Sequence, residues 1–88
     1  MLKSDVVIIN RLGLHARPAA MFVQTAARFV SDITVTKDGV DVNGKSVMGM
    51  MMLAAGMGTV LTISADGADE ADALTALKRL FESKFEED

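Results

Sequence analysis

The hydrophobic positions of this chain change period several times along its length. Residues 2–10 close on Val6-Val7-Ile8-Ile9-Asn10, a β-branched run with polar boundaries, which predicts a strand. Leu12-Gly13-Leu14 reads as a loop. From Ala16 to Arg28, small and apolar residues recur at Ala19/Ala20, Val23 and Ala26/Ala27, the spacing of one helix face. Ile33 to Thr36 alternates apolar and hydroxyl residues, as a half-buried strand does. Asp38-Gly39 is a strong hairpin signal, and Val40-Asp41-Val42 alternates back. Asn43-Gly44 turns the chain again. Ser46 suits the N-cap of a short helix over 47–53, which Gly56 and Gly58 end. Val60 to Ala65 alternates as a fourth strand, and Asp66-Gly67 forms a turn. The last helix is expected from Asp69 to about Phe85. Leu74, Leu77 and Phe81 share one face with Leu80 beside them, and the acidic first turn suits the helix dipole.

The pattern is β-α-β-β-α-β-α. It predicts an α+β fold of two layers, with helices on one sheet face and water on the other. No linker, repeat or low-complexity segment divides residues 1–88, so one domain is expected. At this length folding buries roughly 60–65% of the surface of the extended chain.

Composition narrows the chemistry. There is no cysteine, hence no disulfide, thiolate metal site or thiol nucleophile. There is one histidine, His15, and one proline, Pro18. The net charge of −3 argues against a nucleic-acid partner. No apolar run approaches the ~20 residues of a membrane span. The first ten residues carry Asp5 and no small-residue cleavage site, so no secretory leader is expected and a cytoplasmic protein is. Charge is also uneven. Residues 1–65 carry six basic and four acidic side chains, residues 66–88 three basic and eight acidic. The acidic part reads as a solvated helix face and tail, serving solubility.

Gly39-Val40-Asp41-Val42-Asn43-Gly44-Lys45-Ser46 matches the phosphate-loop pattern G-x-x-x-x-G-K-S. A phosphate loop must be compact, however, and here a predicted strand separates the two glycines. Nucleotide binding is therefore not expected.

The run from Asn10 to Ala20 holds the candidate chemistry. His15 falls where a glycine-containing loop enters a helix. The amides of Ala16 and Arg17 lack intrahelical partners there, and the dipole favours an anion. Pro18 is tolerated in the first turn and stiffens it. Arg17 offers a planar set of donors that fits phosphate oxygens. A partly neutral imidazole keeps one nitrogen nucleophilic. The residues alone leave two readings open: a capping or surface histidine, or a histidine that handles phosphate.

Leu14-His15-Ala16-Arg17-Pro18-Ala19, together with Gly44-Lys45-Ser46-Val47-Met48-Gly49, resembles the histidine-containing phosphocarrier (HPr) family of the bacterial phosphoenolpyruvate-dependent sugar phosphotransferase system. The likeness covers essentially the whole chain. It implies an open-faced β-sandwich with antiparallel strand order 1-4-2-3 and three helices. It implies a phosphoryl relay rather than an enzyme. His15 would accept a phosphoryl group on Nδ1 from phospho-enzyme I and pass it to enzyme IIA domains of sugar permeases. Arg17, the Ala16 amide and the helix start shaped by Pro18 would steady that group. No cofactor or metal is implied, and a monomer suits transient partners. Two other readings are a nitrogen-branch phosphocarrier and a regulatory, corepressor-type module of the same fold.

The resemblance also implies that an HPr kinase/phosphorylase modifies Ser46, where the added charge would repel an acidic partner. Five of the seven methionines lie between Met48 and Met57, and a short helix cannot bury them all. The resemblance places Val47, Met48 and Met51 on a docking face beside His15, with Leu53 in the core. Ala20 and Gln24 of the first helix join that face where some relatives carry Thr or Lys. Arg17, Arg28 and Lys45 remain as its basic residues.

Overall fold

In the computed structural model, which describes residues 1–87, the alternating stretches form four strands. These are β1 (Leu2–Val7), β2 (Asp32–Lys37), β3 (Val40–Asn43) and β4 (Val60–Asp66). The helices are α1 (Ala16–Ala26), α2 (Val47–Met52) and α3 (Glu70–Glu82), followed by a single tight turn at Lys84–Glu86. Asp88, counted above among the acidic residues, lies outside the described part. The sheet runs β1-β4-β2-β3 and every pairing is antiparallel, the order and sense that the resemblance implied.

Register follows from which face each residue presents. Val6 pairs with Leu61, Ile33 with Ala65 and Val35 with Ile63, and all six are buried under the helices. A one-residue slip would turn this set toward water. The opposite face carries hydroxyls and charges. Thr62 donates from Oγ1 to Asp5 at 2.7 Å, and Thr36 donates to Asp41 at 2.6 Å. The β2–β3 hairpin turns at Asp38 and Gly39, with φ of 49° and 80°. Two successive positive φ values match the twist of the strands they join.

Phe22 of α1, Met50 of α2, and Leu77 and Phe81 of α3 bury against that sheet. Phe22 and Phe81 meet edge to face at 6.0 Å, linking α1 to α3 over the core. Leu74 and Leu77 are buried as the helical spacing requires, and Leu80 is half-buried beside them.

Three boundaries differ from expectation. β1 stops at Val7, although Ile8 still donates to Thr59 O and accepts from Gly58 N. Asn10 instead bends the chain, donating its side-chain amide to Gly13 O at 2.7 Å. α1 stops at Ala26, because Arg28 and Phe29 bond back only three residues and so tighten the last turn. α3 ends at Glu82 rather than Phe85. Beyond it Lys84, Phe85 and Glu86 have φ of 55°, 51° and 59°. Left-handed backbone costs a residue with a Cβ roughly 1–2 kcal/mol. The burial of Phe85 offsets that strain: its ring is fully buried and meets Phe81 edge-on.

Among the described residues no helix is long and apolar enough to cross a membrane.

Candidate functional site

His15 is the N-cap of α1. Its backbone is extended, at φ −78° and ψ −171°, and its carbonyl accepts the first helical bond from Ala19 N at 3.0 Å. Its side chain makes no capping bond and is 37% exposed. The ring is therefore aimed outward from a rigid helix start. Pro18, one turn in, is buried and spares the helix a donor without a partner.

The loop before the histidine is held from below. Leu14 donates to Ala55 O at 2.8 Å. Gly13 has φ of 70°, and a Cβ there would come within 2.6 Å of Ala55 O. Only glycine allows this approach, which ties the His15 loop to the exit of α2. Ala54 takes φ of 48° at that exit. Leu12, Leu14, His15, Met51, Ala54, Ala55 and Gly56 together line a shallow hollow.

A third element, the C-terminal tail, closes the site. The carboxylate of Glu87 stands 3.0 Å and 3.2 Å from His15 Nε2 through its two oxygens. Arg17 donates from Nη1 to Glu87 Oε2 at 3.1 Å and to Phe85 O at 3.2 Å. Asn10 donates from Nδ2 to Glu87 Oε1 at 3.2 Å while also bonding Gly13 O. The Glu87 side chain is only 17% exposed, and Asn10 is 1% exposed. Partial burial pushes the Glu87 carboxyl up, yet the bonds from His15, Asn10 and Arg17 outweigh it and hold the group below its ordinary value. The expectation that the acidic tail serves mainly solubility is corrected here for Glu87. The left-handed turn at Lys84–Glu86 swings Glu87 back onto the histidine, 72 residues away in sequence.

The other expected residues take distinct places. Ser46 caps α2, its Oγ accepting from Gly49 N at 3.0 Å. Val47, Met48 and Met51 are exposed on α2, with Met48 at 75%, whereas Met50 and Leu53 are buried. Met51 shares the hollow with His15. On α1, one helical turn apart, Gln24 is exposed and Ala20 half-buried. Lys45 donates from Nζ to Phe29 O at 2.8 Å, beyond the far end of α1 from His15. Arg28 is exposed near that same end. Of the three basic residues expected on this face, Arg17 stands beside the imidazole through Glu87, and Arg28 and Lys45 lie toward the other end of α1.

The phosphate-loop match is not a phosphate loop. Val40–Asn43 is the edge strand β3, and the ammonium of Lys45 is engaged by a backbone carbonyl. Gly44 is needed for packing, because a Cβ there would lie 2.5 Å from Ile33 Cγ2. Among the described residues, no three His, Asp or Glu side chains converge as metal ligands would.

Chemically, the arrangement offers one outward imidazole, an adjacent guanidinium and, at Ala16 and Arg17, two first-turn amides without intrahelical partners. Residues 2–83 match the family model described as the PTS HPr component phosphorylation site. The phosphocarrier protein HPr of Neisseria meningitidis (strain Z2491) is 55% identical over 87 residues, covering 99% of this chain and 98% of its own length. The HPr structure from Thermoanaerobacter tengcongensis superposes with a TM-score of 0.96 at 52% identity, covering 100% of this chain and 99% of the other. The Bacillus subtilis catabolite-repression protein Crh, solved as a domain-swapped dimer, gives 0.77 at 46% identity, covering 96% and 97%.

Proposed function

This chain belongs to the HPr family of phosphocarrier proteins of the phosphotransferase system, and from that premise we propose that His15 is its phosphoryl acceptor and donor. The observation that carries the reading is the outward imidazole of His15 at the N-cap of α1, free of any capping bond, with Arg17 beside it. Nδ1 attacks the phosphorus of phospho-enzyme I in line. The new oxygens face the amides of Ala16 and Arg17, where the helix dipole favours negative charge. Pro18 keeps that first turn rigid. Arg17 supplies the countercharge. Phosphoryl transfer asks mainly for placement and charge stabilisation, both of which a small carrier can provide without turnover of its own.

Delivery follows the same geometry in reverse, to an enzyme IIA domain. The exposed Val47, Met48 and Met51 give a flexible apolar surface that can fit several partners. Ala20 and Gln24 extend it along α1, and Lys45 borders it. Phosphorylation of Ser46 by an HPr kinase/phosphorylase would place two negative charges at the start of α2, favourable for the helix and repulsive to an acidic partner. A monomer presents this face unobstructed.

The test is incubation with enzyme I and phosphoenolpyruvate, followed by mass analysis. One phosphoryl group per chain is expected, labile in acid and stable in base, and absent from His15→Ala. A His15→Ala chain that still takes up label would overturn the assignment. The likeness to Crh favours a second reading, a regulatory module that binds without relaying. Failure of His15 to take up phosphate, with Ser46 still modified by its kinase, would select that reading.

A further inference from the structure

We propose that Glu87 is a positioning residue for the phosphoryl transfer: its carboxylate holds the proton of His15 on Nε2, leaving the Nδ1 lone pair free and aimed at phosphorus. The inference rests on His15 being the phosphoryl acceptor.

The geometry carries it. A carboxylate only accepts, so its bonds to Nε2 at 3.0 Å and 3.2 Å require the hydrogen to reside on that nitrogen. Nδ1 makes no hydrogen bond among the described residues. An imidazole without a partner populates both neutral tautomers, and one of them has its proton on the wrong nitrogen. The carboxylate is itself fixed. Asn10, which is buried and anchored to Gly13 O, donates to Oε1, and Arg17 donates to Oε2. Phe85 anchors the tail in the core two residues earlier. Three successive positive φ values then turn the chain back on itself.

The step balances simply. The Nδ1 lone pair forms the bond to phosphorus, and the bond from phosphorus to the donor atom breaks with its pair left on the donor. The proton on Nε2 stays where it is. The ring gains positive character as the bond forms, and Glu87 lies against the nitrogen that shares it. A carboxylate behind a catalytic histidine plays the same part in hydrolytic triads. Arg17 is held beside the ring by the same carboxylate, within reach of the incoming oxygens.

The test compares the full chain carrying Glu87, Glu87→Ala or Glu87→Gln, labelled with 15N-histidine. In the unphosphorylated protein with a neutral ring, the nitrogen shifts should report one tautomer with Nε2–H, and that proton should exchange slowly. Glu87→Ala should mix the tautomers and speed the exchange. Its phosphorylation by enzyme I and phosphoenolpyruvate should slow about tenfold, by analogy with the low end of what losing a carboxylate partner costs a metal-bound histidine. Glu87→Gln retains an acceptor, so it should keep the tautomer and recover part of the rate. Ring shifts and proton exchange unchanged in Glu87→Ala would overturn the proposal, as would mixed tautomers in the parent chain. If the parent chain took no phosphate at His15, the phosphocarrier reading would fall, while the ring nitrogens would still report whether Glu87 sets the tautomer.

Discussion

The rings of Phe81 and Phe85 meet edge to face, with centroids 4.9 Å apart and planes at 72°. They are four positions apart in sequence, yet α3 ends between them. Phe85 reaches the core from a left-handed turn rather than from the helix. One aromatic contact therefore does two things: it closes the core beneath α3 and fixes where the next two residues go.

That coupling separates two variants of the same tail. Phe85→Ala should cost about 3 kcal/mol, at the low end for a buried aromatic because the chain end can relax. For a domain of this size the melting temperature would fall by roughly 12–24 °C. Glu87→Ala leaves the core intact but removes the bonds from His15, Asn10 and Arg17, so it should lower the melting temperature by only a small part of the Phe85→Ala loss. Thermal unfolding of the two proteins checks this. Equal losses would mean that the Glu87 contacts hold the tail as firmly as the burial of Phe85 does.

Ser46 carries a second pair of separable effects. Its Oγ caps α2 through Gly49 N, so Ser46→Ala should lower stability by about 1 kcal/mol. Ser46→Asp keeps an acceptor at the cap and adds a charge that suits the helix start. It should remain near the parent in stability while being phosphorylated at His15 more slowly. Denaturant unfolding and the initial rate with enzyme I measure the two separately. A stable Ser46→Asp chain phosphorylated at the parent rate would argue against electrostatic control from this position.

How far the sequence discloses this molecule depends on the range of the signal. The inward faces of Val35 and Ile63 follow from two alternating segments, their adjacency only from the family resemblance, and the His15 and Ser46 caps from local loop-to-helix chemistry. Glu87 had no such signal. It meets His15 across 72 residues and Asn10 across 77. Three adjacent left-handed residues, none of them glycine, run against local preference. The one available hint was Phe85, an aromatic residue among charged ones that continues past the helical face. Lys45 shows the reverse limit. Its neighbours fit a motif, but its ammonium is bound to Phe29 O, and no motif encodes that.

Gly44 tests whether the phosphate-loop pattern is a matter of packing. A Cβ at this position would lie 2.5 Å from Ile33 Cγ2 and 3.1 Å from Phe22 Cε1, against the core wall rather than an anion. Gly44→Ala should therefore destabilise by about 1–3 kcal/mol, as overpacking does. Neither protein should bind ATP with Mg²⁺ in calorimetry. Saturable binding by the parent chain, lost in Lys45→Ala, would restore the nucleotide reading.

The acid limb of stability should depend on Asp69. The hydroxyl of Ser31 donates to its Oδ1, the Val30 amide donates to Oδ2 at 3.0 Å, and the Ser31 amide adds a third bond. These donors, the Ser31 hydroxyl foremost, hold the carboxyl below its ordinary value despite some burial. Because the folded value lies below the unfolded one, the unfolded chain binds the proton more readily. Stability from this group is then fully present above the unfolded value of about 3.9 and is lost as pH falls through the folded value. Asp69→Asn cannot titrate. It should be less stable than the parent at neutral pH, since an amide is a weaker acceptor for three donors, and its stability should fall less steeply in acid. Denaturant midpoints from pH 7 down to about pH 2 would show the two curves converging. Curves that stay parallel would place the acid sensitivity at other carboxylates, with Glu87, held low by His15, Asn10 and Arg17, the next to replace.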